Sequence, residues 1–323
     1  MFETGINVWL QSMGSEAATA LLSGVTLLGY LPAHAVLIVT LAFGVRLRPG
    51  LAVLGAVLLT GLVTEATKEA VAFPRPDQVD DRLMRTFASG GEAIVSRGGA
   101  PGFWSLPTPS AIEEVRARAR GNYGFPSGHV SAATAFLVCT GWFLRSRWVY
   151  AFTAAWVPLM ALSRMYLGRH FLADILGGLV IALGVSVAWI RLFPALDPEG
   201  GGWPDRRALR ALWLLSLSLL VLTPFWPPLA PRYVGALTGL AISYTGVLAT
   251  GAPPDGGTTR RRVTRVLLAL TLFATTLGLT EGVLALAGRS GGRLPELFVG
   301  AVVTASTFAG TIMLCRRLGL YDA

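Results

Sequence analysis

Ser163-Arg-Met-Tyr-Leu-Gly-Arg-His170-Phe-Leu-Ala-Asp174 is the stretch around which the chain is organised. It puts an arginine, a histidine and an aspartate where one apolar run ends and the next begins. His170 and Asp174 are four apart, so on a helix they share a face, one turn above the other. A carboxylate beside an imidazole can hold one ring nitrogen and leave the other free to attack, which is the base–orienter half of a nucleophilic site. Arg164 is a charge at the end of an apolar helix, suited to gripping an oxyanion.

Two clusters upstream match this one. The first is Lys68-Glu-Ala-Val-Ala-Phe-Pro-Arg75-Pro76 and the second is Gly124-Phe-Pro126-Ser127-Gly128-His129. Together they read K-x6-RP, then PSGH, then SR-x5-H-x3-D. In that order and spacing the set resembles the type 2 phosphatidic acid phosphatase (PAP2) family of lipid phosphate phosphatases, from about Gly61 to Gly178. Any one of the motifs alone is a weak signal; all three complete are a strong one.

Composition sets the class. The chain is 53% hydrophobic and 14% charged, with a mean hydropathy of +0.59. Near-continuous apolar runs of 18 or more residues recur, as in a polytopic helical membrane protein. The net charge of +9 does not point to nucleic acid, because the arginines lie in short loops between apolar runs. Cys139 and Cys315 both fall in apolar stretches and give no disulfide framework. With three histidines in the chain and no Cys/His cluster, no transition-metal site is expected. Of 27 basic residues only Lys68 is a lysine, and it stands inside the first motif. A compact ammonium differs from a flat guanidinium at a crowded phosphate.

Taken in order, residues 1–13 carry Phe2, Ile6, Trp9, Leu10 and Met13 at helical spacing, which predicts a short amphipathic interfacial helix. No basic leader precedes an apolar core there, so no cleavable signal peptide is read. Ala17 to Val45 is one kinked crossing interrupted at Gly29-Tyr-Leu-Pro32, and His34 reads as a packed or interfacial histidine. Leu51 to Phe73 is the second crossing, ended by Pro74-Arg-Pro76. Glu65 and Glu69 flank Lys68 as structural ion-pair partners.

Residues 77–123 form a long polar segment. Within it Ser110-Ala-Ile-Glu113 matches a capping box, predicting a helix through Arg120 stopped by Gly121. Arg116, Arg118 and Arg120 alternate along that helix as a solvated face or a headgroup contact. Crossings three to five are Val130–Leu144, Trp148–Tyr166 and Phe171–Ile190. Four more follow: Ala211–Phe225, Tyr233–Thr250, Val263–Ala287 and Leu294–Leu314. Phe193–Arg207, rich in Pro and Gly, divides a catalytic core, residues 1–192, from an appended helical region, residues 193–323. Gly235-Ala-Leu-Thr-Gly239 allows close helix packing within the chain. Glu281 is the acid in its crossing, functional or near a helix end.

The expected architecture is therefore an all-α membrane bundle of about nine transmembrane helices. All three motifs then fall on one membrane face. The other face collects Arg46, Arg48, Arg145, Arg147, Arg191, Arg206, Arg207, Arg210, Arg260, Arg261, Arg262, Arg265, Arg316 and Arg317, 14 of the 27 basic residues. The positive-inside rule puts those in the cytoplasm, with the site and N-terminus outward and the C-terminus inward, in the plasma (inner) membrane.

A phosphate ester needs cations round its oxygens, an in-line nucleophile and an acid for the leaving oxygen. Lys68, Arg75 and Arg164 supply cations, while Ser127 and Gly128 open a helix whose free N–H groups favour an anion. The resemblance implies that His170 attacks phosphorus to form a phosphohistidine, Asp174 orients it, and His129 protonates the leaving group. It also implies no metal and no cofactor. The related vanadium haloperoxidases share the motifs but are soluble, which the apolar spans exclude. The expected function is hydrolysis of a lipid phosphate or diphosphate monoester at the bilayer, with no nucleic-acid partner. Two alternatives are lipid phosphotransfer to an acceptor alcohol and a lipid flippase or transporter. Tyr123-Gly-Phe-Pro-Ser-Gly-His with added C-terminal helices also resembles sphingosine-phosphate phosphatases, which have Thr where Gly128 stands. Oligomeric state is not legible.

Overall fold

The computed structural model describes residues 1–84, 93–118, 121–192, 206–289 and 291–321. In chain order its helices are α1 (Gly5–Ser12), α2 (Glu16–Leu27), α3 (Leu31–Val39, continued by a π turn over Thr40–Val45), α4 (Leu47–Val71), α5 (Pro76–Val79), α6 (Pro109–Arg118), α7 (Gly128–Leu144), α8 (Arg147–Tyr166), α9 (Leu172–Leu192), α10 (Arg206–Leu222), α11 (Pro231–Thr250), α12 (Thr259–Leu286), α13 (Arg293–Ala305) and α14 (Thr311–Arg317). Among the described residues there is no strand, only an isolated bridge between Asp80 and Arg97. The chain is all-helical.

Every stretch expected to cross carries a helix, but the count of nine is not reached on length and composition. Among the described residues five segments qualify, Leu47–Val79, Leu172–Leu192, Pro231–Thr250, Thr259–Leu286 and Arg293–Arg317, and α2 with α3 makes a sixth as a pair bent by 57°. The bend falls where Gly29-Tyr-Leu-Pro32 interrupts the run. The others fall short for physical reasons. α7 has 17 residues, about 26 Å of helix against a hydrocarbon core of about 30 Å. α8 carries Arg147, Pro158 and Arg164. α10 opens on Arg206 and Arg207. Residues 193–205 of the Pro/Gly-rich divider, and Arg120, lie outside the described residues.

Two compact units can be distinguished. The first comprises Met1–His34, Val63–Val138 and Arg147–Gly184. Its core has an aromatic cluster in which Phe2 meets Phe73 and Phe171 edge-on at 5.4 and 5.5 Å, beside Val79, Val115 and Tyr123. A second cluster joins Val25, Val130, Val157, Met160 and Ile175. Packing is tight where α9 meets the PSGH turn. A methyl group on Gly178 would lie 2.7 Å from the Ser127 carbonyl oxygen, so only glycine lets the two backbones approach.

The second unit comprises Ala35–Leu62, Cys139–Ser146 and Val185–Ala323. Trp189 is buried and donates its indole N–H to Ala52 O at 2.8 Å. The GxxxG glycines of α11, Gly235 and Gly239, lie against the α13 backbone at Leu297 and Ala301, so that pattern serves packing inside the chain. Glu281 is ion-paired with Arg232 at 2.5 Å, and Arg232 also holds Glu296 at 2.5 Å.

Two local expectations change. α6 begins at Pro109 rather than after Ser110. The Thr108 hydroxyl accepts from Ala111 N–H at 3.4 Å, and proline at the first helical position fixes the start there. Arg116 is not simply a solvated side chain. It donates to Val71 O at 3.0 Å and Ala72 O at 3.4 Å, satisfying carbonyls at the C-terminal end of α4. Arg118 pairs with Glu114, as an exposed charge does.

Candidate active site

All eight residues singled out by the motifs lie in the first unit. The base–orienter pair forms as the spacing predicts. His170 sits in the connection just before α9, and its Nδ1 lies 3.2 Å from Asp174 Oδ2. The same oxygen accepts the Phe171 backbone N–H at 2.9 Å. Both side chains are buried. Asp174 thus holds the N–H tautomer at Nδ1 and leaves the Nε2 lone pair unprotonated. Burial, and after it the positive charges of Arg75 and Arg164, pushes the His170 imidazole well below its ordinary pKa. It is neutral at neutral pH, the form a nucleophile needs.

Three cations surround it, each buried. Lys68, near the C-terminal end of α4, is paired with Glu65 at 2.5 Å. Arg75 caps α5, donating its backbone N–H to Gln78 at 2.8 Å and its guanidinium to Arg169 O at 3.1 Å and Asn122 O at 3.3 Å. Arg164 ends α8 and lies within electrostatic reach of Arg75 and Arg169. Like charges gathered out of water are costly unless an anion joins them, so this grouping suits a dianionic ligand.

Ser127 and Gly128 open α7 beside those cations. A methyl on Gly128 would stand 3.7 Å from both Lys68 Nζ and Glu65 Oε1. Ser127 donates its N–H to Asp174 O at 2.9 Å, which locks the PSGH turn to the start of α9. The Ser127 hydroxyl and His129 Nε2 are buried without a hydrogen-bond partner among the described residues. Buried polar atoms of this kind need a reason, and a bound phosphoryl ester is one.

Residues 49–197 match the PAP2 superfamily model. They form a PAP2 domain. A 92-residue stretch is 32% identical to the lipid A 4'-phosphatase of Bacteroides thetaiotaomicron, covering 28% of this chain and 39% of that protein. Another of 84 residues is 33% identical to sphingosine-1-phosphate phosphatase 2 of Homo sapiens, covering 24% of this chain and 21% of that protein. The matched stretches thus span well under half the length of either curated relative. No solved structure matches.

The PAP2 domain also recruits residues that no motif marks. Asn7 of α1 is fully buried and donates to Met165 O at 2.7 Å and His170 O at 3.0 Å, straddling the stretch that ends at His170. α1 is therefore a brace under that stretch as well as an amphipathic helix. Gln11 adds a bond to Tyr166 O at 2.8 Å. Arg169 binds Asp77 at 2.7 Å, and Asp77 N–H reaches Gly168 O at 3.1 Å, clamping α5 against the connection that carries His170. These partners are some 90 to 160 residues apart in sequence, so no local pattern announces them. The one available signal was polarity: Asn7 and Gln11 fall four apart on an otherwise apolar helix.

Proposed function

We propose that the chain is a membrane-embedded phosphatase that hydrolyses lipid phosphate or diphosphate monoesters through a phosphohistidine, with residues 1–192 as catalytic core and the later helices appended. The observation that carries this reading is the buried His170–Asp174 pair facing Lys68, Arg75 and Arg164. Both relatives are named for removing phosphate from lipids, which favours a lipid monoester substrate.

In the first step Nε2 of His170 attacks phosphorus in line with the ester oxygen. The P–N bond forms, the P–O bond breaks, and His129 delivers a proton to the departing lipid alkoxide. The three cations and the α7 N-terminus hold the nonbridging oxygens as charge builds on them. The imidazolium formed at His170 is stabilised through Nδ1–H by Asp174. In the second step His129 takes a proton from water, the oxygen attacks phosphorus, and the P–N bond breaks to release phosphate. The protein's own cations carry the charge, so no metal is required by this scheme. The arginine asymmetry places the site on the outer face of the membrane.

The test is phosphate release from lipid phosphates and diphosphates, with and without acceptor alcohols. His170→Ala should abolish release from every substrate. His129→Ala should lose roughly 10²–10⁴-fold on a lipid ester but far less on an aryl phosphate, whose phenolate leaves unaided. Equal losses on both would remove His129 from the acid role. Phosphoryl transfer to an alcohol in preference to water would make the protein a phosphotransferase.

A further inference from the structure

The bend in the first apolar helix pair belongs to no motif, yet it touches three of the motif residues, His129, Ser163 and Arg164. The Tyr30 ring stands edge-on to the His129 imidazole, with centroids 4.7 Å apart and planes at 76°. The residue before it, Gly29, faces the same ring. A methyl there would collide with His129 Cδ2 and come within 3.1 Å of Cγ and 3.0 Å of Met160 Cε. One turn earlier, the Thr26 hydroxyl lies 3.3 Å from an Arg164 guanidinium nitrogen and 2.7 Å from Ser163 Oγ. Ser163 donates to Leu22 O at 2.6 Å and so accepts from the Thr26 hydroxyl, and the hydroxyl pair ties α2 to the end of α8. Thr26 is buried, while Tyr30 is 43% exposed. Tyr30 therefore has one edge on the imidazole and the other open.

We infer that the Thr26–Tyr30 bend is a positioning element of the site, in which Tyr30 and Gly29 set the His129 ring and Thr26 sets Arg164. Two observations make the ring the part that matters. His129 Nε2 has no hydrogen-bond partner among the described residues to fix its orientation. An edge-to-face contact with an aromatic ring is a directional restraint that can take that place. Gly29 supplies the room, because any side chain there would displace the imidazole. Arg164 is likewise under-restrained, since its Nε is buried without a hydrogen-bond partner among the described residues, while a guanidinium nitrogen donates to the Thr26 hydroxyl. The inference rests on the reading of His129 as leaving-group acid for its kinetic consequence, but not for its spectroscopic one.

The consequence is a leaving-group signature borne by residues outside the motifs. Tyr30→Ala frees the imidazole, so proton delivery suffers while phosphoryl binding does not. Turnover of a lipid phosphate should fall at least tenfold and turnover of an aryl phosphate by less than threefold, a fraction of the full effect of a positioned acid. Gly29→Ala should do the same by pushing the ring. Tyr30→Phe keeps the ring and should restore the pattern of the parent protein. Thr26→Val should lower both substrates alike, because Arg164 holds the phosphoryl group common to both.

The full-length protein in detergent micelles, labelled at its three histidines, gives a readout free of turnover. The His129 ring resonance, assigned by its loss in His129→Ala, should shift in Tyr30→Ala and Gly29→Ala and stay in place in Tyr30→Phe. An unmoved resonance in Tyr30→Ala, or equal losses on the two substrates with His129→Ala still discriminating between them, would overturn the inference. A shifted resonance in a protein that releases phosphate from no lipid ester would sustain the positioning role and sink the proposed function instead.

Discussion

Asp174→Asn is the sharpest perturbation of the site, because it removes charge while keeping shape. In the parent protein Oδ2 takes two N–H groups, Phe171 at 2.9 Å and His170 Nδ1 at 3.2 Å. An asparagine can keep the Phe171 bond by turning its amide oxygen to that position, so the start of α9 should survive. What it loses is the anion facing the imidazolium that forms as phosphorus is attacked. A hydrogen bond to a charged group is worth about 1.5–3 kcal/mol, roughly 10- to 150-fold in rate, and full burial of the pair favours the upper end. If the amide instead presents its NH₂ to Nδ1, the imidazole tautomer inverts and Nε2 carries the proton, which stops attack altogether. The assay is rapid-quench trapping of the acid-labile phosphoenzyme alongside phosphate release, with thermal melting as the control for folding. A phosphoenzyme that forms at the parent rate in a normally melting Asp174→Asn would refute the orienting role of Asp174 and with it the assignment of His170 as nucleophile.

Lys68→Ala should cost roughly 2–5 kcal/mol in kcat/KM, the range for removing one partner of a buried charged contact, and Lys68→Arg should also be impaired because the guanidinium is larger and directional beside Glu65; near-parental kcat/KM in Lys68→Arg would show that the ammonium is not needed. Asp80 gives a pH prediction: burial alone would raise its pKa, but hydrogen bonds from Arg82 and Thr4 outweigh that and hold it at about 2. A carboxyl depressed in the folded state stabilises above its unfolded pKa of about 4 and loses that stabilisation as pH falls toward 2, so Asp80→Asn should melt lower than the parent by about 1 kcal/mol at pH 7, discounted for the exposure of Arg82, and the gap should close in acid; a gap independent of pH would count against it. For topology, cysteines introduced at Ser96 and Ser146 should react differently with an impermeant reagent on intact cells, the first labelled and the second spared, over a low background because Cys139 and Cys315 are buried. The reverse pattern would place catalysis in the cytoplasm.

The legible part of this molecule was the part written locally. The i, i+4 spacing of His170 and Asp174 pointed to their contact, although His170 stands in the connection before α9 rather than on the helix, and Pro74 and Pro76 dictated where α4 must stop. The Gly29-Tyr-Leu-Pro32 interruption marked the bend. What could not be read depended on partners far away in the chain. Asn7 looked like the polar side of an interfacial helix, since nothing near it foretells the carbonyls of Met165 and His170. Arg116 looked solvated because its acceptors, Val71 and Ala72, lie some 45 residues upstream. At Thr108, local signals competed, and proline at the first helical position outweighed the capping-box pattern two residues later. The count of nine spans is not confirmed, because a run of apolar letters records hydrophobicity whereas a crossing also needs length, and α7 and α10 are 17 residues each.

The bracing of the Met165–His170 stretch by α1 has a consequence for biosynthesis. Asn7 leaves the ribosome about 160 residues before the carbonyls it must satisfy, and the Met1 carbonyl waits as long for the Ala173 N–H that reaches it at 3.4 Å. The α1 segment is thus translated early and seated late, once the Met165–His170 stretch it braces has been made.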